Sequence, residues 1–297
     1  MTEYRTHVYA GDGDGRFRPR TEPADSAPIL GAVREDIRQT LRTGWIDPAL
    51  DAAAAHPVFF TAAWSAMRPN VGKSFVGLAR SVRAGAADSV RSWLDLPDLR
   101  KELDGQLSQE ELGRIEDCVR ASHLAMAKAQ IVVHAFHRAV RRERIPGTGR
   151  EEPPIRRGVP EWQRWMSLQP APEAALPLLD EAGRAFELPA APAPLRLVAR
   201  WPAALRVSWA ELKRLLPTEA WRSAGTRVRR TVLSGVATLP HPVELQWAAL
   251  SARGFGEEDR KVLAEVLTTH DAAMPAQTLA AAFLWIVFGA PDITSEG

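Results

Sequence analysis

The chain has 297 residues, 45% hydrophobic and 25% charged, with 38 basic and 36 acidic side chains for a formal net charge of +2. That composition is globular and offers one large domain or two of ordinary size, while the balanced charge gives no argument for nucleic acid. A single cysteine, Cys118, excludes an internal disulfide and a cysteine-built metal site, and makes a reducing cytoplasm the simplest home.

Met1 to Ala27 is polar, rich in Gly, Asp, Arg and Pro, and is expected to be a flexible tail, and Met1 to Gly15 has no signal-peptide layout. Val33, Ile37 and Leu41 then form a helical stripe. Pro57 and Pro69 bracket a helix carrying Phe59, Phe60, Ala63, Trp64 and Met67, and residues 71–93 continue helically. Ser108, followed by Glu110 and Glu111, opens a further helix in capping style that runs to about Arg141. Residues 146–172 hold six prolines and read as a linker. The helical pattern restarts over 178–186, 195–216, 219–239, 242–250 and 257–288, and no alternating strand pattern is evident. The longest apolar run, Leu279 to Phe288, is too short to span a bilayer. Heavy use of Ala, Arg and Pro suggests a bacterial source.

Two stretches echo each other. His56-Pro57 with Trp64 matches Trp201-Pro202 with Trp209, and Leu50 matches Leu195, each at an offset of 145. Residues 119–136 lay on 267–284 at an offset of 148, where Met126 meets Met274. The fold class expected is therefore all-α: two pseudo-symmetric helical repeats forming a pseudo-dimer with an inter-repeat cavity. The organisation expected is a tail (1–27), repeat 1 (28–145), a Pro-rich linker (146–171), repeat 2 (172–291) and a C-terminal tail (292–297).

The segment Arg34-Glu35-Asp36-Ile37-Arg38-Gln39-Thr40-Leu41-Arg42-Thr43-Gly44-Trp45, with Pro57 twelve residues after Trp45, resembles the group I 2-haloacid dehalogenases. These are the non-stereoselective, all-α enzymes, unrelated to the α/β haloacid dehalogenase superfamily. The Trp201-Pro202 pair resembles the matching segment of that family's second repeat. The resemblance implies two pseudo-symmetric repeats with the active site between them, no cofactor, and often a homodimer. It implies displacement of halide from the α-carbon of a 2-haloacid by an aspartate-activated water, without a covalent ester.

The chain departs from the family pattern at the chemistry. The resemblance places the family's catalytic Ser-Asp pair at Ala193 and Pro194, its Asn at Met126, and a tyrosine near His270. Trp45 is kept, but the aromatic expected three residues later is Pro48. Proline and methionine cannot deprotonate water, and no carboxylate lies between Leu188 and Trp209.

Candidate catalytic residues are Asp47, His270 and His123. Asp47 in Gly44-Trp45-Ile46-Asp47-Pro48 is either a base at the cavity mouth or an N-cap, roles that do not exclude each other. His270-Asp271 and Ser122-His123 are polar pairs at matched positions of two apolar helices, facing a shared cavity or satisfied within the core. Trp45, Lys128, Ser122, Asp271, Arg200 and Trp201 are the candidate substrate-binding residues, with Lys128 and Arg200 as anion holders or surface cations. His134 and His137, three apart on one helix face, have zinc-ligand spacing, but the sequence shows no third ligand, and no metal or cofactor is expected. The Gly-Lys-Ser of Val71-Gly72-Lys73-Ser74 lacks the earlier glycine of a P-loop, since residue 67 is Met67.

Three functions follow as expectations. The first is dehalogenase-like substitution with a nucleophile internal to the substrate, such as an amine closing a small ring in secondary metabolism. The second is hydrolytic 2-haloacid dehalogenation with a relocated base. The third is a non-catalytic binding protein. The partner expected is a small molecule carrying a leaving group, with a homodimer or partner protein as further alternatives, and no nucleic acid or membrane.

Overall fold

The computed structural model describes residues 10–11, 17–18, 26–93, 96–153, 155–168 and 170–290. The C-terminal tail, and all of the N-terminal tail but its two short strands and the start of the first helix, lie outside them. Among the described residues the protein is helical apart from β1 (Ala10–Gly11) and β2 (Phe17–Arg18), which pair antiparallel. Strands of two residues carry no alternating pattern, so the sequence could not announce them.

The first half runs α1 (Ser26–Leu41), α2 (Pro48–Ala53), α3 (Pro57–Met67), α4 (Lys73–Arg91), α5 (Leu99–Glu102) and α6 (Gln109–Val140). The second runs α7 (Leu176–Ala185), α8 (Ala193–Val198), α9 (Pro202–Leu215), α10 (Glu219–Val236), α11 (Trp247–Ala252) and α12 (Glu257–Val287). From α2 and α8 onward, equivalent helices start 145 to 148 residues apart. The expected helix over 195–216 is two helices, because Pro202 can start a helix but cannot continue one. The helix expected over 242–250 begins only at Trp247, since Val243 is extended and pairs with Ile145.

The equivalence extends to side chains. Trp64 Nε1 donates to Asp36 Oδ2 at 2.8 Å, and Trp209 Nε1 donates to Glu181 Oε2 at 2.9 Å. Each carboxylate also takes a cation one turn beyond its tryptophan, Arg68 at 2.7 Å in the first half and Lys213 in the second. Arg42 and Glu187 stand at the matching helix exits with φ of 57° and 55°. There Thr43 N bonds Arg38 O and Leu188 N bonds Gly183 O, closing each helix in Schellman style. Asp36 further holds Arg157 of the Pro-rich segment. Asp36→Ala should therefore cost about 1–2 kcal/mol and Glu181→Ala less, as urea unfolding of the two variants will show; equal losses would contradict the extra role of Asp36.

The two longest helices, α6 and α12, form the centre and are buried on nearly every side, which explains their weak amphipathicity. They run antiparallel: along α6, His123 meets Trp285, Gln130 meets Thr278 and His137 meets Thr268. Thr278 Oγ1 donates to Gln130 Oε1 at 2.8 Å, a contact between positions 148 apart and hence between equivalents. The short α8 packs on α6 while α2 packs on α12, so each half lends a helix to the other's long one.

The Pro-rich segment is pinned to both halves. Gly158 N donates to Gln39 O, Thr148 N to Leu239 O, and Glu152 accepts from Ser74 N. Its turn at 161–163 lies so close to Gly44 that a Cβ there would stand 2.4 Å from Gln163 O. No helix of the described residues is long and apolar enough to cross a membrane.

Candidate active site

The turn between α1 and α2 builds the site. Arg42 ends α1 in the left-handed region, Thr43 Oγ1 donates to Trp45 O at 3.2 Å, and Trp45 turns inward against Cys118, Ala121, Met166 and Leu197. Asp47 then caps α2, its Oδ1 accepting from Ala49 N at 2.9 Å. The other oxygen, Oδ2, is buried with no hydrogen-bond partner. Burial pushes the Asp47 carboxyl up to about 6, against the Ala49 hydrogen bond and the charge of Arg196 on α8. Asp47 is thus both the N-cap and a buried carboxylate with one bare oxygen.

Asp47 and Trp45 border a cavity of about 10 Å³ whose wall is completed by Ile37, Leu41, Thr43, Leu50, Ala125, Met126 and Ala129. That volume suits about one water. Met126 stands where the family resemblance expects Asn, so these positions share one space. Lys128 donates from Nζ to Leu41 O at 3.2 Å, beside this wall. All the residues lining this small cavity belong to the first half; the second half reaches Asp47 through the charge of Arg196. Pro192, at an offset of 145 from Asp47, caps α8 with nearly the same backbone, φ −53° and ψ 145° against −63° and 137°. Ala193 and Pro194 are buried in the first turn of α8.

The other candidates do not converge here. Ser122 turns its hydroxyl back to Cys118 O at 2.7 Å. His123 stacks on Trp285 with centroids 4.4 Å apart, and Arg91 lies over the same indole. Burial, with the charges of Arg83 and Arg91, holds the His123 imidazolium form well below its usual range. Burial likewise lowers His270 to about 4, so neither ring is poised near neutrality. Arg200 is tied to Ser167 O at 2.9 Å and lies over Trp165, and Trp201 caps α9.

Asp271 is held elsewhere. His134 Nδ1 lies 3.1 Å from Asp271 Oδ1, His137 Nδ1 lies 3.0 Å from Oδ2, and Arg229 stands 3.7 Å away. Burial opposes ionisation of Asp271, but the two imidazoles hold its carboxyl well below the usual range. Asp271 is the third group the sequence did not reveal for His134 and His137. A usable signal existed: Thr268 and Asp271 on α12 repeat the three-residue spacing of the two histidines on α6.

A larger cavity of about 420 Å³ lies between α4 and α10, lined by Val82, Gly85, Asp88, Ser89, Ser92, Arg227, Val228, Arg230 and Thr231. It is an open groove between the halves that holds none of the candidate residues, and Arg227 in it is bonded to Ser89. The smaller cavity is the better site, because a buried carboxylate oxygen without a partner is a chemical resource.

No family model matches the chain. It is 24% identical over 248 residues to an (R)-2-haloacid dehalogenase of Rhizobium sp. (strain NHG3), covering 80% of this chain and 94% of that one. A solved complex of D-2-haloacid dehalogenase with L-LA superposes with a TM-score of 0.78 at 15% identity, over 96% of this chain and 98% of that one. A mutant D-2-haloacid dehalogenase with D-2-CPA gives a TM-score of 0.76 at 16% identity, over 95% and 96%. The chain is thus similar in sequence to an (R)-2-haloacid dehalogenase and shares the fold of solved D-2-haloacid dehalogenases.

Proposed function

We propose that the chain displaces an anionic leaving group from the α-carbon of a small 2-haloacid, with water as nucleophile and Asp47 as general base. The observation that carries this is buried Asp47, whose Oδ2 has no partner, in the wall of a one-water space that Trp45 and Met126 also line. Asp47 takes one proton from water; the oxygen forms a bond to the α-carbon as the carbon–halogen bond breaks; halide leaves, and Asp47 returns its proton to solvent. A carboxyl poised at about 6 is ionised at neutral pH and remains basic enough to accept that proton. The base has moved from the start of α8, where the family resemblance expects it, to the equivalent start of α2. Lys128, bonded to Leu41 O in the cavity wall, and Arg196, whose charge acts on Asp47, would hold the substrate carboxylate or the departing halide. The cavity is smaller than a haloacid, so Met126, unbranched and flexible, must yield on binding.

One observation favours a second nucleophile. The cavity wall offers a carboxylate and the Thr43 hydroxyl but no amide to orient a water, Met126 standing where the resemblance expects Asn. An amine within the substrate, attacking its own carbon to close a ring, would need the base alone.

Halide release from (R)- and (S)-2-chloropropionate decides between these. Release that Asp47→Asn abolishes supports hydrolysis. Release from only a substrate bearing an internal amine supports ring closure. Release that Asp47→Asn leaves unchanged defeats Asp47 as the base, and no release from either class of substrate leaves a binding protein.

A further inference from the structure

We propose that His134, His137 and Asp271 form a binding site for a divalent transition ion of the zinc type, joining α6 to α12. One ligand atom from each residue lies within 4.8 Å of the others, and two imidazoles with one carboxylate are the donor set that zinc accepts. The site is distinct from the Asp47 cavity: His134 lies eight residues along α6 from Met126, about 12 Å.

The hydrogen bonds around His137 carry the argument further. Thr268 Oγ1 donates to Ala264 O at 2.7 Å, so its hydrogen is spent. His137 Nε2, 3.1 Å from the same oxygen, must therefore be the donor in that contact. In a neutral ring the proton is then on Nε2, and Nδ1 presents a lone pair. That lone pair faces a carboxylate oxygen of Asp271 at 3.0 Å, an arrangement that requires either a second ring proton or a cation between the two. The Thr268 contact also fixes the ring plane, as outer-shell partners of metal-bound histidines do. His134 has no partner at Nε2, so its tautomer is free to follow whatever sits at Nδ1.

The pocket has a way in. The His137 side chain retains 13% exposure and Thr268 is exposed, whereas His134 and Asp271 are buried. The charge that opposes a cation is Arg229, 3.7 Å from Asp271 on an exposed side chain that can swing away. No covalent step is involved: the ion displaces the ring protons, which leave to solvent.

Cobalt(II) and zinc(II), added singly to metal-stripped full-length protein, test this. Expected are one ion per chain and a visible cobalt band of low coordination number. Thr268→Val should weaken binding about 10–100-fold and His137→Gln should weaken it further, while Arg229→Gln should tighten it severalfold and His241→Gln should change nothing. His137 and Thr268 lie at the surface edge, so both variants should fold, and circular dichroism confirms it. Absence of stoichiometric binding, or binding that His137→Gln leaves intact, overturns the site. Halide release plays no part in the readout, so the outcome is independent of the activity proposed for Asp47.

Discussion

Asp47→Asn is expected to lower displacement activity by about 10²–10⁴-fold, the usual worth of a positioned general base, and at the same time to make stability less sensitive to alkali. Asparagine still caps α2 through its side-chain oxygen, so the backbone should not change. The Asp47 carboxyl rises from 3.8 in the unfolded chain to about 6 in the fold because burial penalises the charged form. A raised carboxyl contributes stability that is complete below the unfolded value and is lost as pH climbs through the folded one. The loss spans roughly pH 4 to 7 and amounts to about 3 kcal/mol at 1.36 kcal/mol per unit. The neutral amide has no such loss. Urea unfolding of both proteins at pH 4 and pH 8 should show their difference moving toward the variant by up to about 3 kcal/mol. A difference that does not change with pH would mean that Asp47 does not titrate in this range. In the active protein, the acidic limb of kcat/KM should fall near pH 6.

The helices were legible because their apolar positions recur at helical spacing, and the offset of 145 was legible because proline and tryptophan have few substitutes at a helix start. Pro57 and Pro202 each occupy the first position of a helix. The pairing of Trp64 with Asp36 and Trp209 with Glu181 was not legible, since a half-buried acid 28 residues away carries no mark of its partner. The dipeptide with Pro48 marks Asp47 as a helix cap, but the burial of its second oxygen depends on helices that lie far off in sequence. His123 and His270 do not line the Asp47 cavity, for a physical reason. Equivalent positions of antiparallel helices meet only where the helices cross, near Gln130 and Thr278. Away from that crossing each residue meets one of different number, so matched polar pairs face different surroundings. The same geometry brought His134 and His137 to Asp271.

Asp271→Ala is expected to cost about 2–3 kcal/mol in metal-stripped protein, because it leaves two imidazoles in the interior without their hydrogen-bond partner. The alternative outcome, a loss below about 1 kcal/mol, would mean that His134 and His137 are satisfied without it. The pH dependence has the opposite sense to that of Asp47. The Asp271 carboxyl lies well below its usual range, since both imidazoles favour its charged form. A lowered carboxyl contributes stability that is present above the unfolded value of 3.8 and is lost as pH falls toward the folded one. The wild-type protein should therefore lose its advantage over Asp271→Ala below about pH 4. Pro275, four residues on, can give no N–H to the Asp271 carbonyl, so α12 is weakest where Asp271 ties it to α6. Removing that tie should raise amide exchange around residues 268–275 before it affects the far end near Trp285. Zinc, if bound, should widen the gap between wild type and variant, since only the wild type offers the ion its carboxylate.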